Sequence, residues 1–157
     1  MDAGAVATLR RLLDTRPVAT LATLHRGEPA VSMVPFVLPP GATRFFIHVS
    51  ALATHTRDMQ EHSRVGLLVM AEPDTATSPQ ALPRVALQAD ATTLPREGAD
   101  YDSARAAYLK RFPDAAQTFD LADFSLITLT PVAARLVAGF AQAYSLVGAG
   151  LENWLIG

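Results

Sequence analysis

Hydrophobic and polar residues alternate along most of this chain with a period of two, which is the pattern of β-strands. Strands are predicted at residues 18–24, 30–38, 43–49, 65–70, 83–93, 124–130 and 135–140. Helices are predicted at residues 3–14, 54–62 and 100–112, and a shorter one at 113–119. Because short, evenly spaced antiparallel strands favour a barrel, we predict a mainly β, α+β fold with flanking helices.

Glycine and proline mark the ends of these strands. The sequence His25-Arg26-Gly27-Glu28 predicts a turn with Gly27 at a positive φ, so the first two strands should form a hairpin. Pro35 interrupts the second strand because proline has no N–H to donate, and Pro131 is expected to separate the last two strands. We predict one domain over residues 1–157, with a tail from about 141 to 157.

The junction between the third strand and the helix after it has the composition of an anion-binding site. Thr54 is predicted to cap this helix, whose free N–H groups and positive dipole end favour a negative charge. His55, Thr56 and Arg57 add two cationic groups and a hydroxyl at the same point, and Ser50 ends the strand. The alternative is an ordinary surface helix start, since a capping threonine before His and Arg is common.

Composition and charge exclude several classes of protein. The 157 residues carry a net charge of −2 without a basic run, so nucleic acid is not an expected partner. There is no cysteine, and the four histidines lack the spacing of a metal motif, so we predict no metal site. No apolar run approaches the roughly 20 residues of a membrane span and no signal peptide is recognised, so we expect a soluble, cytoplasmic protein without membrane contact.

Four segments in order make this sequence similar to a known family. They are VATLAT (18–23), AVSMVPF (30–36), SALATHTR (50–57), and DFSL (123–126) followed by ARLVAGFA (134–141). The segment YLKRFPDA (108–115) fits the same pattern. In these segments the chain resembles the pyridoxamine 5'-phosphate oxidase-like FMN-binding split barrels, and more closely the branch related to haem-utilisation proteins.

The resemblance implies an antiparallel FMN-binding split β-barrel that forms a homodimer, with FMN bound between the subunits. It places the flavin ring along the second strand and the phosphate at the strand–helix junction. The implied cofactor-binding residues are Val31, Ser32, Met33 and Val34 for the ring, and Ser50, His55, Thr56 and Arg57 for the phosphate. His48 has two interpretations, a half-buried strand residue bonded to backbone or a side chain that faces the flavin.

The function implied by the resemblance is that of an FMN-dependent oxidoreductase with a small-molecule redox substrate, and no catalytic residue is assigned. The alternatives are haem binding or degradation, a non-enzymatic flavin or tetrapyrrole binder, a deazaflavin cofactor in place of FMN, and a barrel that serves only for dimerisation.

Three departures from the family pattern bear on the function that the resemblance implies. Pyridoxamine phosphate oxidation is not expected, because the cationic residues that such members carry near the C-terminus are missing after Arg135. The tail histidine that ligates iron in haem-degrading members is also missing, because the last histidine is His62. The second glycine typical of the branch is Ala138 here.

Overall fold

The computed structural model describes residues 2–156, which form α-helices and β-strands. The chain begins and ends with a helix, and the strands lie between these two helices in the sequence. The helices are α1 (Ala3–Thr15), α2 (Thr54–Glu61), α3 (Ala99–Arg111), α4 (Ala116–Phe119) and α5 (Gly148–Ile156). The strands are β1 (Val18–His25), β2 (Glu28–Pro35), β3 (Phe45–Ser50), β4 (Arg64–Met70), β5 (Arg84–Thr93), β6 (Phe124–Gly139) and β7 (Gln142–Val147). None of the helices in this part of the chain is long and apolar enough to cross a membrane.

The strands between residues 2 and 156 form one antiparallel sheet in the order β2-β1-β4-β5-β6-β3, and β7 also pairs with β6. β6 is long enough to pair with two partners along one edge, with β3 in its first half and with β7 in its second half. The sheet curls around its inward side chains. The predicted antiparallel split β-barrel with flanking helices is therefore confirmed.

Helices α1 and α5 complete the barrel core. Leu21 of β1 and Leu87 of β5 face inward and are buried together with Leu9 of α1 and Trp154 of α5. Because successive strand residues face opposite sides of a sheet, the alternation in the sequence marks this inner face directly. A second, smaller core, which includes Tyr108 of α3, lies between α3, α4 and β3.

The predicted break of the last strand at Pro131 is wrong. β6 continues through this proline, because Val132 is bulged out between the pairs Ala89–Pro131 and Gln88–Ala133. A bulge interrupts the ladder of hydrogen bonds locally, and proline, which has no N–H to donate, is tolerated at such a point.

The tail, for which no element was predicted, is ordered into β7 and α5. A turn at Ala141, whose φ is +59°, reverses the chain so that β7 pairs with the end of β6. α5 then buries Leu151, Trp154 and Leu155 against the barrel core.

The β1–β2 hairpin is confirmed, whereas the predicted cap of α2 is wrong. Arg26 and Gly27 both have positive φ, +53° and +81°, as in the type I′ turns that match the twist of a hairpin. β2 ends at Pro35. The N-cap of α2 is Ala53, and Thr54 is the first helical residue. Alanine has no side-chain acceptor, so the cap has no side-chain hydrogen bond, and the Thr56 N–H donates to the carbonyl oxygen of Ala53.

Arg111, the last residue of α3, fastens this helix to the end of α1. Its guanidinium donates to the carbonyl oxygens of Leu13 at 2.9 Å, Asp14 at 3.3 Å and Arg16 at 2.5 Å. These carbonyls lie at a helix C-terminus, where they have no partner within the helix. The guanidinium also lies 5.0 Å from the ring centroid of Phe36.

Replacing Arg111 with methionine should lower the free energy of unfolding by about 2 kcal/mol, because carbonyls at the end of α1 lose a charged donor. Urea unfolding followed by circular dichroism measures this. The control is Lys110→Met, which changes an exposed neighbour on the same helix. A loss no larger than that of the control would contradict the fastening role.

Candidate functional site

Two adjoining cavities lie between the β1–β2 hairpin and α2, and together they are called the hairpin–α2 site. The cationic cavity, of about 340 Å³, is lined by His25, Arg26, Thr54, Arg57, Asp58 and Glu61. The strand cavity, of about 130 Å³, is lined by Thr23, Ala30, Val31, Ser32, Thr54, His55 and Asp58. Thr54 and Asp58 border both cavities, so the two are neighbours.

The centre of the hairpin–α2 site is Asp58, a carboxylate of α2 that is only 3% exposed. One carboxylate oxygen accepts a hydrogen bond from Thr23 Oγ1 at 2.9 Å, and the other accepts one from His25 Nδ1 at 2.8 Å. Thr23 and His25 are two residues apart on β1, so both side chains face α2. A carboxylate is buried at acceptable cost only with such partners, so this pair of bonds explains how α2 packs against β1.

These hydrogen bonds also indicate that Asp58 is ionised and which ring nitrogen of His25 carries the shared hydrogen. The bond from His25 is the main reason that the pKa of Asp58 lies below its ordinary value, although burial opposes the shift. The ionised carboxylate only accepts hydrogen bonds, so Nδ1 of His25 carries the hydrogen. In the neutral imidazole, Nε2 then holds a free lone pair. The His25 side chain is 43% exposed, and its Nε2 bonds to no described residue.

The cationic cavity offers two guanidinium groups beside this imidazole. Arg26 lies at the tip of the hairpin turn, and Arg57 lies in the first turns of α2. One nitrogen of Arg57 donates to the carbonyl of Leu52 at 3.3 Å, which leaves its other donors available. Such groups bind carboxylates and phosphates with two parallel hydrogen bonds. Asp58 is bonded to Thr23 and His25, but Glu61 adds a negative charge to the same lining, so only the guanidinium side of the cavity suits the anionic groups of a ligand.

The four residues predicted to lie along a flavin ring occupy β2 but differ in exposure. Val31 and Met33 point outward and are 76% and 62% exposed, which is unusual for large apolar side chains. Ser32 is next to them in the wall of the strand cavity, and its hydroxyl oxygen is buried without a hydrogen-bond partner among residues 2–156. Val34 is buried in the core. The outer side of β2 thus presents an uncovered apolar strip.

The four residues predicted to hold a phosphate do not converge on one cavity. Ser50 donates its hydroxyl to Asp123 at 2.6 Å, and the buried Thr56 donates to the carbonyl of Ser50 at 2.7 Å. Arg57 lines the cationic cavity and His55 lines the strand cavity. Only these last two therefore belong to the hairpin–α2 site, and a ligand contact by any of the four stays a prediction.

His48 lies in the second core and lines neither cavity. Its ring stacks on Phe119 with a centroid distance of 3.8 Å and lies 3.2 Å from the hydroxyl of Thr118. Burial, with a smaller contribution from Arg96, lowers the pKa of His48 to about 4. The structure therefore favours the packing role over the flavin-facing one. Among residues 2–156, no group of three His, Asp or Glu side chains is placed to hold a metal ion.

Comparison with known proteins relates this geometry to a family. The sequence profile of the pyridoxamine 5'-phosphate oxidase family matches residues 5–138. This chain belongs to that family. Within the family, it is related to proteins of haem utilisation, as its similarity to the following relatives shows.

Three relatives of this family member are named for haem. The chloroplastic heme oxygenase HOZ of Arabidopsis thaliana is 31% identical over 127 residues, which are 81% of this chain and 37% of that protein. Heme oxygenase HutZ of Vibrio cholerae is 27% identical over 149 residues, 94% of this chain and 84% of that protein. The solved heme-binding protein of Mycobacterium smegmatis matches with a TM-score of 0.84 and 30% identity, over 98% of this chain and 62% of that one. The chain thus spans little more than a third of the plant protein and under two thirds of the mycobacterial one.

The three hydrogen-bonded side chains at the centre of the site cannot be recognised from the sequence alone. Thr23 and His25 share one face of β1, which the alternation indicates, but their partner Asp58 lies 33 residues beyond His25. A polar His25 beside a hairpin is typical of a surface turn, and Asp58 on a polar helix is typical of a solvated face. Only the docking of α2 on β1 brings the three side chains together.

Replacing Asp58 with asparagine should destabilise the fold at neutral pH but not in acid. Because the pKa of Asp58 is lower in the folded chain than its ordinary value of about 3.9, the carboxylate contributes stability above that pH and loses it as the pH falls further. The difference between the wild type and the variant should therefore narrow from pH 7 towards pH 3. Urea unfolding midpoints across this range measure it.

The control for this series is Asp120→Asn, which removes an exposed carboxyl. It should leave the unfolding midpoint at pH 7 almost unchanged. An Asp58→Asn variant as stable as this control at pH 7 would show that the buried carboxylate does not hold α2 in place.

Proposed function

We propose that this protein binds haem beside the β1–β2 hairpin and takes part in haem breakdown. The observation that carries the proposal is its similarity, over most of its length, to two proteins named heme oxygenases and one named heme-binding. These names describe the relatives, and an oxidoreductase activity on haem is an inference for this chain. The proposal replaces FMN as the first expectation for the cofactor.

The residues of the site fit the chemistry of haem. The two carboxylates of haem match the guanidinium groups of Arg26 and Arg57 in the cationic cavity. The flat apolar macrocycle matches the exposed side chains of Val31 and Met33 on the outer face of β2. When bound, haem would supply the oxygen chemistry, while the protein residues bind the carboxylates, orient the ring and exclude water from its apolar face.

FMN is the second candidate, because of one feature of β2. The buried hydroxyl of Ser32 has no hydrogen-bond partner among the described residues, and a flavin edge would provide one. The phosphate of FMN would then be held by Arg57, since Ser50 and Thr56 already donate to protein groups. Haem is preferred because the relatives are named for it, and FMN is tested beside it.

We further propose that two copies of the chain pair through the outer face of the sheet. The strand registers align outward residues into two rows across six strands. The first row is Val31, Ala22, Gly66, Gln88, Ala133 and Val147, and the second is Met33, Thr20, Leu68, Ala86, Arg135 and Ser145. Most of these side chains are small or apolar, so a second sheet can approach this face closely.

Titration with haemin should produce a saturable Soret band at micromolar protein. Titration with FMN, followed by the quenching of flavin fluorescence, should give a weaker affinity than the haemin titration gives. Adding ascorbate in air to the haemin complex should then bleach the Soret band as the haem is broken down. Absorption spectroscopy follows both steps. No Soret band on titration would contradict haem binding, and a Soret band that ascorbate leaves intact would contradict haem breakdown alone.

The variant Gly66→Arg should convert the dimer into a monomer and halve the mass measured by light scattering at low micromolar concentration. A Cβ at Gly66 meets only ordinary contacts, 3.5 Å from the Cβ of Ala22 and 3.8 Å from the carbonyl oxygen of Leu87, so the backbone leaves space for a side chain to begin there. Placing two arginines in one apolar interface is costly. The control Ala106→Arg adds the same charge on exposed α3. A wild-type monomer, or a Gly66→Arg dimer, would refute this interface.

A further inference from the structure

A further cavity lies between α1, residues 38–41 and α5, and it is called the α1–α5 cavity. We propose that this cavity binds a small carboxylic acid with a compact apolar body, whose oxygen atoms accept hydrogen bonds from Arg10 and Trp154. The volume of the cavity is about 170 Å³. It shares no lining residue with the two cavities of the hairpin–α2 site, so this inference does not rest on haem binding.

Two buried hydrogen-bond donors without partners are the observation that points to a ligand. Nη2 of Arg10 and Nε1 of Trp154 are both buried, and neither has a hydrogen-bond partner among residues 2–156. Both residues line the α1–α5 cavity. The guanidinium and the indole N–H donate hydrogen bonds and accept none. Because an unpaired buried donor is costly, and more so when it is charged, a ligand with acceptor oxygens would stabilise both groups.

The rest of the lining is mostly apolar, which defines the body of the ligand. The apolar residues of the lining are Leu9, Leu13, Leu38, Pro39, Pro40 and Leu155. Leucine-lined cavities of about 150 Å³ hold a molecule the size of benzene. The α1–α5 cavity therefore has space for one six-membered ring or one branched chain, and its two donors select a ligand in which this body carries acceptor oxygens.

The two charges in the lining favour an anionic acceptor at Arg10. The lining also contains the carboxylate of Asp14, one turn further along α1, but this residue is exposed whereas Arg10 is half-buried. Among residues 2–156, Arg10 forms no ion pair with Asp14 or with another carboxylate. Solvent and salt screen an exposed charge more strongly than a partly buried one. A bound carboxylate therefore gains more from the guanidinium of Arg10 than it loses to Asp14.

The walls of the cavity are held in place by contacts within the protein. The Ala42 N–H donates to the carbonyl oxygen of Pro39 at 3.0 Å, and Gly41 has a φ of +72°. Pro40 and Gly41 thus occupy the central positions of a turn with the type II pattern. Arg111 holds the end of α1, and α5 packs on the barrel core. Because these walls are already ordered, binding a ligand costs little conformational entropy.

The competing explanation is that ordered water fills the cavity and accepts hydrogen bonds from both donors. Water alone predicts that no carboxylate produces a saturable change at Trp154. A carboxylic-acid site predicts a saturable change whose midpoint depends on Arg10.

The first test follows the indole N–H of Trp154 by NMR. The chain has one tryptophan, so its indole N–H gives a single, identifiable peak in a ¹H–¹⁵N spectrum. Titration with cyclohexanecarboxylate at constant ionic strength should move the proton of this peak downfield to a plateau, because the N–H donates to a ligand oxygen. A peak that does not move saturably would overturn the proposal in favour of water.

Two matched compounds test the chemistry of the ligand. Cyclohexanecarboxamide keeps the ring and an acceptor oxygen but is neutral, and it should bind at least about 10-fold more weakly, since hydrogen bonds to ionised groups are the stronger ones. Cyclohexylmethylamine carries a positive charge on the same ring and should leave the peak in place. An equal affinity for the carboxamide or the amine would overturn the assignment of a carboxylic acid.

The second test replaces Arg10 with methionine, which keeps an apolar stem and removes the donors. The affinity for cyclohexanecarboxylate should fall by about 10–100-fold, the effect of losing a charged hydrogen bond. Without ligand, the urea midpoint of Arg10→Met should be no lower than that of the wild type, because the buried Nη2 has no partner to lose. The control is Arg11→Met, which changes an exposed neighbour outside the lining and should bind like the wild type.

An Arg10→Met variant that binds as tightly as the wild type, or an Arg11→Met variant that loses as much affinity, would overturn the role of Arg10. Should Arg10→Met fail to fold, nuclear Overhauser contacts in the wild type decide the point. Contacts between the ring of the ligand and the side chain of Trp154 support the site, and contacts confined to residues outside the α1–α5 cavity refute it. The haemin titration is a separate measurement, so haem binding and this site succeed or fail independently.

Discussion

One buried carboxylate organises the region where this protein is proposed to act. Asp58 lies on the face of α2 that packs on β1, and the hydroxyl of Thr23 and the imidazole of His25 satisfy its two oxygens. Because an unpartnered carboxylate there would be costly to bury, the helix has one favourable position on the strand. That position places Arg57 opposite Arg26 and encloses the two cavities. The packing of the helix and the chemistry of the site thus depend on the same contact.

The sheet divides the molecule into a covered and an uncovered side. Its inner face is closed by α1 and α5, whereas the outer residues of six strands form two rows of small and apolar side chains. Val31 and Met33 belong to these rows, and Val31 also borders the strand cavity. A second copy on this face would therefore cover the apolar strip and complete the wall of the site. Pairing and ligand binding are linked in this account through β2.

Local patterns were sufficient to predict much of the fold. The alternation of inward and outward residues marked β1 to β5, and Gly27 marked the hairpin, because both depend on neighbouring residues alone. The bulge that carries β6 past Pro131 depends on its pairing with β5, which no local pattern contains. The surroundings of the predicted site residues depend on distant contacts in the same way. Ser50 donates a hydrogen bond to Asp123, 73 residues away, which no local pattern at the helix start contains.

The most direct test of the account is the crystal structure of this chain with haem bound. The account predicts haem beside the β1–β2 hairpin, with its carboxylates beside Arg26 and Arg57, and the hydrogen bond from His25 to Asp58 intact. Haem bound elsewhere on the chain would contradict it.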